Sequence, residues 1–280
     1  MRNRLNHSRI TFALGSLALA LAVSSVARAQ TDASPAAPPA RGGTGGNVLM
    51  NKLNNGPGGP APKRDLNGFW TGPISAQDGE APSLTPAAQK LFSANKPERK
   101  TNVKETNDNF VKTCDPMGFP YNAMYQTRGI GFSTLPDRLM IFYQAQRVWR
   151  EVWTDGRPLP KNVGGTGKGA PDPRYYGYSV GHWEDDSTLV IETTGIDDKT
   201  WLDPRGYPHS VEAHVTERYT RPDHNDLQLT VTVDDPKMYT KPFLLGTNKF
   251  RWIPDQELDE QLCVPSDIME YMNLVGNSSN

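Results

Sequence analysis

The sequence predicts a mainly β fold: an antiparallel meander closed into a β-barrel or strongly curved sheet, with short helices near each end. Three observations carry this. From about Arg128 the apolar period is two. The periodic segments are short and rich in β-branched and aromatic residues. Turn-forming clusters of Asp, Asn, Gly and Pro separate them, so neighbours in sequence would pair and closure would remove the sheet's edges. No repeat of 20–50 residues suggests a propeller or solenoid.

Residues 1–29 carry the parts of a secretory signal. Arg2, Arg4 and Arg9 precede a short apolar stretch from Thr11 to Val23, and Ala27-Arg28-Ala29 offers small residues where signal peptidase reads. Cleavage near Ala29 would deliver a periplasmic or secreted chain. Residues 30–64, dominated by Pro, Gly, Ala and Asn, read as a disordered tether. A single β-rich domain is expected over 65–280.

Within that domain, Thr85 reads as the N-cap of a helix with Pro86 in its first turn. Arg138 to Tyr143 and Arg147 to Trp153 read as strands. Gly177 to Thr194 reads as a hairpin turning at Glu184-Asp-Asp-Ser187, and Val211 to Val233 as another turning at 222–226. Lys249 to Ile253 gives a late strand, and a short helical tail follows Pro254.

Charge excludes some functions. Lys and Arg total 30 against 31 Asp and Glu, and loss of residues 1–29 would leave 26 against 31. A mildly acidic chain has no field to attract nucleic acid. After the first thirty residues no apolar run is long enough for a membrane span, so stable membrane insertion is not expected. Cys114 and Cys263 are the only cysteines. Outside the cytoplasm a disulfide is the leading reading, with two separate buried thiols as the alternative.

Strand parity nominates interior polar groups. Val211, Ala213, Val215, Glu217 and Tyr219 share one face, as do Leu227, Leu229, Val231, Val233 and Asp235. On the strand ending at Trp153, Trp149, Glu151 and Trp153 share a face that the aromatics assign to the interior. Glu217, Glu151 and Asp235 would then be inward carboxylates. The plainer reading pairs each with an arginine such as Arg218 or Arg150. The loop 200–210 gathers Trp201, Asp203, Arg205 and His209, and a second polar stretch supplies Tyr239. There His209 could serve as a general base, with Asp203 or Glu217 setting its pKa.

Other motifs fail on spacing. His209 and His214 are an odd number of residues apart, the glycine-rich 164–169 lacks the Ser or Thr of a phosphate loop, and no Gly-x-Ser-x-Gly occurs. No metal site and no cofactor is expected.

Four segments, Lys112 to Pro120, Tyr176 to Asp186, Thr200 to Ser210 and Asp234 to Pro242, resemble those of an uncharacterised family of exported bacterial proteins. That resemblance implies export and a single domain. Asn67-Gly-Phe-Trp70 is similar to the opening of lipocalin-like (calycin) barrels, which implies a lipocalin-like meander.

Together these readings favour an exported soluble barrel that binds a small amphiphilic or aromatic molecule in its interior. Arg205, Trp201, Tyr239, Trp149, Trp153, Glu151 and Asp235 would contact the ligand. The first alternative is a cofactor-independent lyase, isomerase or hydrolase with His209, Asp203 and Glu217 as its machinery. The second is an envelope protein-interaction module. The sequence leaves the oligomeric state open.

Overall fold

A computed structural model of the chain describes residues 56–277 apart from residues 102, 126, 127, 255 and 256. The expected signal segment and the expected tether up to residue 55 lie outside the described residues. Nine strands form one closed barrel in sequence order. They are β1 (Gly68–Asp78), β2 (Ile130–Thr134), β3 (Arg138–Tyr143), β4 (Val148–Trp153), β5 (Tyr178–Trp183), β6 (Thr188–Thr194), β7 (His214–Thr220), β8 (Asp226–Asp234) and β9 (Phe243–Trp252). The helices are α1 (Pro86–Ala94), α2 (Asn109–Thr113), α3 (Tyr121–Met124) and α4 (Pro265–Asn277). The expected class, a mainly β closed barrel with short helices, is what the chain forms.

One feature of the meander is corrected. With an odd number of strands in sequence order, antiparallel pairing throughout would leave β1 and β9 parallel. They are antiparallel, so another neighbouring pair must break the alternation. That pair is β4 and β5, which run parallel and are joined by the long connection 154–177. They share only two residue pairs, Val152 with Ser179 and Trp153 with Val180, and this short pairing leaves a seam in the wall.

Local chemistry explains the other elements. The Thr85 hydroxyl accepts from the Ala88 amide at 3.2 Å and caps α1. In the β5–β6 turn, Asp185 accepts from the Ser187 and Thr188 amides, closing the hairpin. The β1 strand extends well past Trp70, through residues that the sequence pattern did not mark as a strand.

The barrel interior is packed. Leu139, Ile141, Val152, Ile191, Val215 and Val231 fill it from the walls. One end is stoppered by 117–124, where Phe119, Ala123 and Met124 join the same core. Asn248 fixes this stopper by donating to the Ala123 carbonyl at 3.0 Å. At the other end Trp70 donates to the Leu66 carbonyl at 3.0 Å, and the buried Arg221 guanidinium lies 4.8 Å from its ring centre. Cys114, which follows α2, is bonded to Cys263, just before α4.

Candidate functional site

The loop 200–210 forms a cover whose polar groups are hydrogen-bonded to one another and to neighbouring segments. Asp203 accepts from the backbone amide of Arg205 at 2.8 Å and from its Nε at 2.6 Å. Arg205 also donates to the Leu245 carbonyl at 2.9 Å, pinning the loop to β9. Burial pushes the Asp203 pKa up, and the Arg205 charge opposes that shift. Asp235 is wholly buried and accepts from the Ser210 amide (2.6 Å), the Ser210 hydroxyl (2.9 Å) and the Lys237 amide (3.2 Å). The Tyr239 hydroxyl donates to the Pro208 carbonyl at 2.7 Å. Trp201 packs against a small separate cluster of Met117, Tyr121 and Ala145.

His209 lies within this cover, 2% exposed. Its Nδ1 donates to the Ser210 carbonyl at 3.2 Å, since a carbonyl can only accept. Its Nε2 faces the Thr200 hydroxyl at 3.0 Å. Burial holds the imidazole pKa below its ordinary value. The expected pairing of His209 with Asp203 or Glu217 is therefore corrected: Asp203 is committed to Arg205, and Glu217 to a different arginine.

That arginine is Arg150. Glu217 and Arg150 form an ion pair inside the barrel with side chains 0% and 3% exposed. The second Glu217 oxygen accepts from the Tyr219 hydroxyl at 3.0 Å. Donors on both oxygens suit an ionised carboxylate, although burial pushes its pKa up against the pull of Arg150. Glu217 thus faces inward as its strand parity implies.

The β4 parity is the reverse of the expectation. Val152 and Arg150 are buried, whereas Glu151 is exposed and Trp149 is 63% exposed. Pairing with β3 enforces this. Ile141 opposes Arg150 and Leu139 opposes Val152 on the inner face, while Phe142 opposes Trp149 outside. Two tryptophans on one face suggest a core face, yet the inner position goes to an arginine whose partner is on β7.

Trp149, Glu151 and Trp153 nevertheless converge on one feature. A cavity of about 730 Å³ opens at the β4–β5 seam, lined by these residues with Pro158, Pro160, Tyr176 and Tyr178. Arginines stack on its aromatic walls, two of them (Arg157 and Arg174) lining the cavity themselves. Trp153 lies between the guanidinium carbons of Arg138 (3.8 Å) and Arg157 (3.4 Å). Tyr178 donates to the Asp172 carbonyl at 2.8 Å and carries Arg174 at 4.1 Å from its ring centre. Arg150 and Tyr176 also line the cavity. The Nε and Nη1 of Arg150 and the Tyr176 hydroxyl are buried and have no hydrogen-bond partner among the described residues.

Thus the seam joins Trp149, Glu151 and Trp153 from the expected set. His209, Asp203, Arg205, Asp235 and Tyr239 are engaged in the end cover instead. Sequence reasoning missed Tyr176, which carries no periodic signal, and treated Arg150 only as a charge partner. The alternation of β3 was the available clue to β4's true parity.

Among the described residues, no group of three or more His, Cys, Asp or Glu side chains is placed to hold a metal, and no helix is long and apolar enough to cross a membrane. No protein-family model matches the chain, and no curated protein matches it.

Proposed function

We propose that this chain is an exported, lipocalin-like binding protein that holds a small amphiphilic or aromatic molecule. The binding place is the β4–β5 seam, since the centre of the barrel is filled by its own side chains. One observation carries this reading: a cavity of about 730 Å³ is walled by Trp149, Trp153, Tyr176 and Tyr178, with the charged Glu151, Arg157 and Arg174 among its lining residues. Apolar walls with a few placed polar groups are the usual makeup of a small-molecule site. Residues 1–29 and the Cys114–Cys263 disulfide support export.

The test is native mass spectrometry of the purified protein, with extraction of co-purifying molecules, on wild type and Trp149→Ala. Trp149 is exposed, so its truncation should change folding stability by no more than about 0.5 kcal/mol. The expected result is a bound aromatic or amphiphilic molecule that Trp149→Ala loses. Equal retention by both proteins would place binding elsewhere. A wild type that carries nothing and takes up no member of a bicyclic aromatic panel would sink the reading.

A further inference from the structure

We infer that the seam takes its occupant as a short extended peptide, whose main chain adds a strand to the open edge of β4 at Trp149 and Glu151. The inference rests on the seam being the binding place, and a short peptide with an apolar or aromatic side chain is an amphiphilic molecule of the kind proposed there.

Hydrogen-bond alternation fixes which backbone groups face the seam. The Thr154 amide donates to the Asp137 carbonyl at 2.9 Å, next to the pairing of Arg138 with Trp153. The even-numbered residues of β4 therefore direct their backbone groups to β3, and the odd-numbered ones direct theirs toward β5. But β5 begins at Tyr178 and meets β4 only at Val152 and Trp153. Its chain leaves the edge at Gly177, whose φ of +63° lets its amide turn to the Arg174 carbonyl at 3.0 Å. The N–H and C=O of Trp149 and the N–H of Glu151 thus have no hydrogen-bond partner among the described residues. Both residues are exposed and line the cavity of about 730 Å³.

An unpaired strand edge is a template for another main chain. Here a donor, an acceptor and a second donor lie along about 7 Å of strand, two residues at the ordinary rise. A hydrocarbon leaves all three to water. An extended peptide answers them with a carbonyl, an amide and a carbonyl at the same spacing, because each residue carries one acceptor and one donor. The rim carries both signs of charge, Glu151 paired with Arg138 at 3.2 Å and Arg157 with Asp155 at 2.6 Å. Backbone pairing needs no net charge on the ligand. Beside the edge, the exposed Trp149 ring, Pro158, Leu159 and Tyr176 offer apolar surface to the peptide's side chains.

The experiment is calorimetric titration of the purified protein with acetylated pentapeptide amides, Thr-Val-x-Val-Thr with Phe, Tyr, Leu or Val at the centre. The tightest of them is then compared with two N-methylated isomers, one methylated at its second and fourth residues and one at its third and fifth. A strand presents these two sets of amides on opposite edges. One isomer should bind about 10-fold or more weakly, through loss of two hydrogen bonds, and the other should bind as the parent does. With the parent bound, amide hydrogen exchange at Trp149 and Glu151 should slow about 10-fold or more.

Equal effects of the two methylation patterns, or unchanged exchange at Trp149 and Glu151, overturn the inference. If no peptide binds but 2-naphthalenemethanol does, strand addition is wrong and the seam reading stands. If neither the peptides nor 2-naphthalenemethanol bind, the seam reading fails and the inference fails with it.

Discussion

Glu217 and Arg150 owe their burial to each other. Each sits on an inner strand face where a lone charge would be strongly disfavoured, and the partner arrives from a strand far away in sequence. Removing one member leaves the other uncompensated. Glu217→Gln should lower the unfolding free energy by about 3–5 kcal/mol, measured by urea denaturation. Replacing both residues by methionine should cost much less, because no buried charge is then left alone. Equal losses in the two variants would mean that the pair itself contributes net stability. The same pair explains why the parity of Arg147 to Trp153 misleads. The alternation is legible, but the choice of inner face depends on Glu217, which the local pattern does not contain.

Among the elements, those governed by neighbouring residues were legible. The Thr85 cap, β3, and the hairpins turning at 184–187 and 222–226 all follow from local turn chemistry and period. The length of β1 was not, because its later half pairs with β9 around a register shift and reads as loop by itself. The tail helix α4 packs against α2, and the Cys114–Cys263 bond ties them across a separation of 149 residues. Cys114→Ser with Cys263→Ser should lower the stability of the folded chain by about 2–5 kcal/mol. It should also speed proteolysis within 265–277 under native conditions. Unchanged cleavage there would show that packing alone holds the tail.

At the scale of the whole molecule, the loop 200–210 and the stopper 117–124 turn an open barrel into a filled one, and the global stability inherits their protonation chemistry. His209 is buried with its pKa held below the ordinary 6.5. The unfolded chain therefore takes up the proton first. This contribution to stability is fully present above pH 6.5 and is lost as pH falls from there toward the folded-state pKa. The loss should approach about 1.4 kcal/mol for each pH unit in that window. Urea denaturation at pH 7.5, 6.5 and 5.5 should show a slope that His209→Asn reduces. Identical slopes in the two proteins would mean that other groups set the pH dependence.

The β class, a sheet closed or strongly curved, the places of most strands and turns, the capped helix and the inward direction of Glu217 are all legible in the sequence. These depend on periodicity and turn residues, which act over a few positions. Folding of the entire chain is needed to commit Asp203 to Arg205 and not to His209, to turn Arg150 inward and Trp149 outward on β4, and to set the cavity at a seam. An odd number of strands requires one parallel pair, and where it falls depends on closure of the entire sheet. Charge partners such as Arg150 and Glu217 meet across the barrel, so their pairing exists only once the chain has closed on itself.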